Sequence, residues 1–274
     1  MKTEYSVLMS VYFKEKPDFL KKSMDSIFAQ TVQTNDFVLV CDGPLTSELD
    51  EVIIDMKKRY PSLLNIVRLD ENGGLGKALN EGIKHCKNEL IARMDSDDIL
   101  YPDRCKRQLE VFAKHPEIGV CSGVVEEFSE RIEHVKARRI PPETQQDILK
   151  FVRKRNPFTH PCVMYRRSEV EKAGGYQDFY LLEDYYLWIR MLQNGTQGYN
   201  LQESLLWMRA GSEMYERRSG RKYAKAQRML FKYMKDNGMN TTLEYVTSCI
   251  VRTISSIAPN NIRKVAFQSL MRKE

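Results

Sequence analysis

An α/β fold, a mostly parallel sheet covered by helices, is predicted by three observations. Short apolar runs alternate with stretches of helical periodicity over residues 5–114. Turn-forming and acidic residues close most of the runs. The chain of 274 residues, 42% of them apolar, is long enough to bury one large core.

Tyr5–Tyr12 is a β-rich run, and Pro17 opens a helix whose Leu20, Met24, Ile27 and Phe28 share a face. Phe37–Cys41 predicts a second, buried strand, stopped by Asp42-Gly43-Pro44. Leu49, Val52, Ile53 and Met56 mark a helix, and Leu64–Leu69 a third strand. After Asn72-Gly73-Gly74, residues Leu75, Ala78, Leu79, Ile83 and Cys86 return to helical spacing. Glu89–Met94 is a fourth strand, ending at Asp95-Ser96-Asp97-Asp98 before the helix that Pro102 opens. Such units imply a parallel sheet whose ligands lie beyond the carboxyl ends of its strands. Tyr12, Asp42 and the acids at 95–98 fall at those ends. Further on, Ile118–Val125 and Pro161–Tyr165 read as strands, Pro141–Arg155 as a loop with a short helix, and Asp184–Leu192 as a helix. A long basic helix is expected over Tyr215–Lys235. Leu243, Val246, Ile250, Ile254 and Ile257 make an amphipathic stripe, and Ile262–Met271 a shorter one.

Composition narrows the functional classes. No apolar run approaches the roughly 20 residues of a membrane-spanning helix, and the start shows no signal-peptide h-region. The net charge of +6 is uneven: residues 207–274 hold 14 Lys/Arg against 5 Asp/Glu, so the body before them is mildly acidic. A basic tail points either to an anionic surface or to a solvated helix. The six cysteines form no CxxC pair and read as reduced core residues.

Two acidic clusters carry chemistry. Asp95 and Asp97, at i and i+2 after a buried strand, suit Mg²⁺ or Mn²⁺, which prefer oxygen ligands and bridge to phosphates. The competing reading has these acids cap the next helix, which begins several residues away. Glu183-Asp184 opens a helix and offers either a general base or ordinary N-terminal capping. Asn72–Lys77 fails the phosphate-loop pattern, since Glu71 and Ala78 stand where Gly and Ser/Thr belong, although Lys77 could meet a phosphate. His160 is a lone histidine in a loop-like stretch.

The series SVLMSVY, SIFAQT, VLVCDG, NGGLGKALNEGI, IARMDSDDI, PDRCKRQLEVFAKHPEIGV, NPFTHPCVMYRRSEVEKAGGY and EDYYLWIRML resembles family 2 glycosyltransferases over residues 5–207. It is nearest to those that build amylovoran, capsule, exopolysaccharide or O-antigen units. The resemblance implies a GT-A fold: a Rossmann-like, mostly parallel sheet flanked by helices. It implies a catalytic domain over 1–210, with a nucleotide-sugar half to about residue 100 and an acceptor half after it. A basic helical extension would occupy 211–274. The implied reaction is inverting hexosyl transfer, galactose or glucose, from a UDP-sugar to a polyprenyl-diphosphate-linked saccharide.

By the same resemblance, Val11 and Tyr12 line the nucleoside and Asp42 contacts the uracil. Asp95, Ser96 and Asp97 form the DxD-type donor site, with the metal on Asp97 and Asp95. Asp184 is the base, with Glu183 beside it, and His160 and Trp188 fall on the acceptor side. Relatives often carry a metal-binding His after the last core strand. Here Trp207-Met208-Arg209-Ala210-Gly211 has none, and Arg209 is expected to meet the diphosphate. The tail then implies a peripheral position on the inner face of the plasma membrane. The alternative is packing on the catalytic domain or on a second copy in a homodimer.

Two rival classes stand beside this one. IARMDSDDIL superficially resembles the nucleophile segment of haloacid dehalogenase-like phosphohydrolases, but Ile99 replaces its Thr/Val and the motif lies far from the start. A non-enzymatic membrane or nucleic-acid binder would use the basic tail, but no recognisable nucleic-acid module is present.

Overall fold

The computed structural model describes residues 4–211 and 220–257, the last four of these by backbone alone. Four parallel strands form one half of the sheet: β1 (Tyr5–Val11), β2 (Asp36–Cys41), β3 (Leu64–Arg68) and β4 (Leu90–Asp95), in the order β3-β2-β1-β4. Every residue of β2 is buried, as its unbroken apolar run requires. Helices α1 (Pro17–Phe28), α2 (Ser47–Arg59) and α3 (Leu75–His85) connect these strands. Pro17 starts α1, and Leu20, Met24 and Ile27 are its buried face.

The other half departs from a simple parallel sheet. After β5 (Ile99–Leu100) and α4 (Arg104–Lys114) come the long β6 (Ile118–Phe128), β7 (Ala137–Arg139) and α5 (Gln145–Phe151). Then follow β8 (Met164–Arg166), α6 (Arg167–Lys172), α7 (Glu183–Gln193) and β9 (Gln197–Arg209). The sheet continues β4-β8-β6-β9-β5, with β8 antiparallel to both neighbours and β9 parallel to β6. The strand expected over Pro161–Tyr165 is thus mostly replaced. His160–Cys162 is a 3₁₀ turn, and pairing starts at Met164. Pro161 has no N–H for a ladder, which favours the turn.

Two cores lie on the two faces. One joins α1, α2 and α4 to β1, β2 and β4; the other joins α3, α5 and α7 to the opposite face. α8 (Gly220–Asp236) belongs to the second core through Leu230, Phe231 and Met234. α9 (Thr242–Ile257) packs along α8, and Lys235 lies over the Tyr245 ring. The stripe at 262–271 lies outside the described residues. Five cysteines are buried thiols and Cys249 is half-buried, as expected of reduced core residues.

Candidate active site

The site is assembled where β1, β2 and β4 end. Val11 is buried in the core, and its carbonyl accepts the Asp42 N–H at 2.8 Å. Tyr12, one residue on, is exposed with its ring edge-on to Phe13. Asp42 is 3% exposed, and both its carboxylate oxygens are engaged by the glycine loop. Oδ1 accepts the Gly73 N–H at 2.8 Å and Oδ2 the Gly74 N–H at 3.1 Å. The resemblance assigned Asp42 to the uracil; its visible work is to tie the β2 end to the loop that starts α3. Gly43 must be glycine, because its φ is 83° and a Cβ would stand 2.6 Å from the Asn72 nitrogen. Lys77 is exposed, its stem folded over Gly73.

The acids after β4 converge. Oxygens of Asp95, Asp97 and Asp98 lie within 4.8 Å of one another. None caps a helix: α4 starts at Arg104 after an N-cap Asp103 that makes no side-chain cap bond. Asp98 is buried, with one oxygen accepting the Arg209 N–H at 2.7 Å and the other unpaired among the described residues. Burial, then Asp95 and Glu15, push Asp97 up to about 7. Crowded acids with an unpaired buried oxygen are what a divalent cation would relieve, and the all-oxygen set fits Mn²⁺ or Mg²⁺.

Ser96 is buried and donates its hydroxyl to Glu15. Sequence reading missed Glu15; its only signal was an acid three residues past Tyr12. Arg209 is held more tightly than expected of a free phosphate ligand. Its guanidinium lies between Phe19 and Phe128, 3.8 and 4.5 Å from their ring centres, and it donates to the carbonyls of Asp97 and Ser129.

The acceptor side comes from the other half of the sheet. Glu183 and Asp184 open α7, following Leu181, which has φ 56°. This left-handed leucine is a strained entry to the helix. Burial and then Asp184 raise the Glu183 pKa. Asp184 accepts from Asn156 Nδ2 at 2.7 Å, a partner 28 residues away that the sequence did not reveal. A Cβ on Gly76 would lie 3.5 Å from Tyr176 Cβ and 3.7 Å from Glu183 Cγ, so the α3 start abuts the α7 start. Asn80 fixes the same junction, bonding both the N–H and the carbonyl of Tyr176 at 2.8 and 2.7 Å.

His160 sits against this layer, 2.9 Å from the Tyr176 hydroxyl, and burial with the nearby Arg93 charge holds its pKa well below the usual value. Trp188 is 0% exposed and packs on Phe158, His160 and Tyr165. The acceptor contact expected of it is therefore replaced by a packing position. Asp95 and Asp184, some ninety residues apart in the chain, both act electrostatically on the same two buried groups, Arg93 and Tyr176.

The chain is similar in sequence and in fold to known proteins. Glycosyl transferase family 2 matches residues 6–174. The chain is 37% identical over 268 residues to the amylovoran biosynthesis glycosyltransferase AmsE of Erwinia amylovora, with 96% of this chain and 98% of that protein covered. It is 34% identical over 272 residues to the UDP-Gal:alpha-D-GlcNAc-diphosphoundecaprenol beta-1,3-galactosyltransferase of Escherichia coli, with 98% and 97% covered. The solved mannosyltransferase PcManGT from Pyrobaculum calidifontis, in complex with GDP-Man and Mn²⁺, shares the fold. The TM-score is 0.66 at 14% identity, covering 99% of this chain and 76% of that one.

Proposed function

The chain belongs to glycosyl transferase family 2, with the GT-A fold, and on that premise we propose that it transfers a hexose from a UDP-sugar to a polyprenyl-diphosphate-linked saccharide. It is a glycosyltransferase of polysaccharide biosynthesis. Galactose or glucose is the proposed sugar, and the Escherichia coli relative, which uses UDP-Gal and a diphosphoundecaprenol-linked GlcNAc, supports this choice. The observation that carries the reading is the cluster of Asp95, Asp97 and Asp98 at the end of β4, whose neighbour Arg93 pairs with Asp95 and feels the charge of Asp184 at the start of α7 as well.

Asp97 and Asp95 would hold Mn²⁺ or Mg²⁺, which supplies charge neutralisation at the donor diphosphate. Tyr12 lies at the nucleoside end, while Lys77 and Arg209 place positive charge near the phosphates. Asp184 takes the proton of the acceptor hydroxyl as that oxygen bonds to the anomeric carbon. The bond from the anomeric carbon to the phosphate oxygen breaks, and UDP departs from the opposite face. A single displacement inverts the anomeric centre. Asn156 orients the carboxylate of Asp184 for this transfer.

The C-terminal helices support a peripheral membrane position, as an interfacial face for a lipid-linked acceptor. α9 exposes Leu243 (73%), Ile250 (54%) and Val251, and the exposed Arg228 of α8 stands near Cys249 on its flank. An apolar stripe beside cations suits an anionic bilayer surface. No helix among the described residues is long and apolar enough to cross a membrane.

The reading is tested by a donor screen. The protein is incubated with each UDP-sugar and Mn²⁺, with and without lipid-diphosphate-linked GlcNAc, and UDP release is followed. Acceptor-dependent release from UDP-galactose or UDP-glucose is expected. Release from neither would overturn the donor assignment.

A further inference from the structure

Arg93 has no part in the reaction as derived so far. It lies on β4 two residues before Asp95, on the same side of the strand, and is 1% exposed. One terminal nitrogen pairs with Asp95 Oδ1. The other terminal nitrogen and Nε are buried with no acceptor among the described residues. A cation buried on such terms is expensive, since desolvation falls on the whole guanidinium and one half-exposed carboxylate offsets it.

The neighbouring Arg104 shows what a structural arginine looks like in this protein. It too is fully buried, but all three of its guanidinium nitrogens are bonded. Nε donates to Gln108 at 3.0 Å and Nη1 to the Pro161 carbonyl at 2.9 Å. Nη2 donates to the carbonyls of Arg93 and Val163 at 2.9 and 3.1 Å. Packing explains Arg104 and leaves Arg93 unexplained. Arg93 also lies between the two halves of the site. Its charge acts on Asp95 on the donor side and on Asp184, Tyr176 and His160 on the other.

We propose that Arg93 is a positioning residue for the transfer, a buried cation that clamps the Asp95 carboxylate from beneath and fixes it for the donor and its metal. The clamp engages the Asp95 carboxylate through Oδ1. It also keeps three crowded carboxylates in one arrangement before any donor arrives. The proposal rests on the donor role of the acid cluster set out above.

A double-variant cycle tests it on the full-length protein, with Arg93→Met, Asp95→Asn and their combination. Binding of Mn²⁺ alone and of UDP with Mn²⁺ is read by calorimetry, stability by thermal unfolding, and kcat by UDP release. Each single variant is expected to weaken UDP–Mn²⁺ binding about tenfold and to lower kcat about a hundredfold, the scale of misplacing a reacting group by an ångström. The combination should be no worse than the poorer single variant, because both changes remove one contact. Arg93→Met removes the desolvation cost but also the counter-charge of the crowded acids, so any loss of melting temperature should be recovered in the combination with Asp95→Asn, where both charges are gone. A purely structural role would lower the melting temperature in the combination as well.

Losses that multiply in the double variant would overturn the clamp, as would unaltered binding and kcat in Arg93→Met. Should Arg93→Met not fold, Arg93→Gln, which removes the charge but keeps a polar side chain, replaces it in the same cycle. Absence of UDP release by the parent protein would count against the proposed function, whereas the cycle in Mn²⁺ affinity still decides the clamp.

Discussion

Replacing Asp42 by Asn changes one atom of a side chain that holds the donor loop at two points. In the native arrangement Oδ1 and Oδ2 each accept a backbone N–H, from Gly73 and Gly74. An amide accepts at its oxygen alone, so its NH₂ must confront the second N–H. The variant loses one charge-assisted bond and leaves one largely enclosed donor without its acceptor, together about 2–4 kcal/mol. For a domain of this size that corresponds to a melting temperature lower by roughly 5–10 °C. The loop also carries Lys77 and the Gly76 contact with Glu183, so UDP affinity should fall together with stability. Thermal unfolding and calorimetric titration of UDP on the same preparation check both. A melting temperature within about 1 °C of the parent would refute the argument that Asp42 ties the loop. Reduced UDP affinity at unchanged stability would instead favour the uracil contact implied by the resemblance.

Asp184→Asn removes the proton acceptor but keeps a partner for Asn156, so transfer should fall by at least about a thousandfold with UDP affinity nearly unchanged; turnover near the parent rate would remove Asp184 from that role. His160 has a depressed pKa in the folded protein, so the unfolded chain binds more protons below about pH 6.5 and stability is lost as pH falls through that range. His160→Gln, which can still bond Tyr176, should flatten this acid limb in melting curves measured from pH 7 to pH 5. A Leu243→Glu, Ile250→Glu pair should release the protein from phosphatidylglycerol vesicles in flotation while leaving the melting temperature within about 2 °C. Retention of the pair on vesicles would argue against the α9 face, and its conversion of a dimer to a monomer would assign that face to a second copy.

The amino-terminal half was legible because each of its elements is specified locally. Leu20, Met24 and Ile27 share a helical face by spacing alone, β2 is apolar from Phe37 to Cys41 because both its faces are covered, and Asp42-Gly43 stops it at a turn. The same locality made the Asp95–Asp98 cluster stand out, since three acids after a buried strand have few structural uses. The second half was harder to read. β8 contributes only three residues to the sheet, and its antiparallel insertion between β4 and β6 is set by long-range pairing of Tyr165 with both Ile91 and Val120. β9 carries Asn200, Gln202 and Glu203 within its run, which weakens any strand periodicity.

Sequence by itself determined the strand–helix alternation, the family resemblance and the identity of the acids. Tertiary structure decided where those acids sit and what surrounds them. Trp188 looked like an acceptor contact until packing placed it inside the core, and Asp42 became a loop tie through bonds to residues about thirty positions away. Arg93 carries no distinguishing signal in the sequence; its burial against Asp95, with its charge felt by Tyr176 and His160, arises only in the folded chain. The physical reason is the range of the forces involved. Periodicity and turn chemistry act over a few residues, whereas burial, charge pairing and the geometry of a crevice depend on groups that meet only in the folded chain.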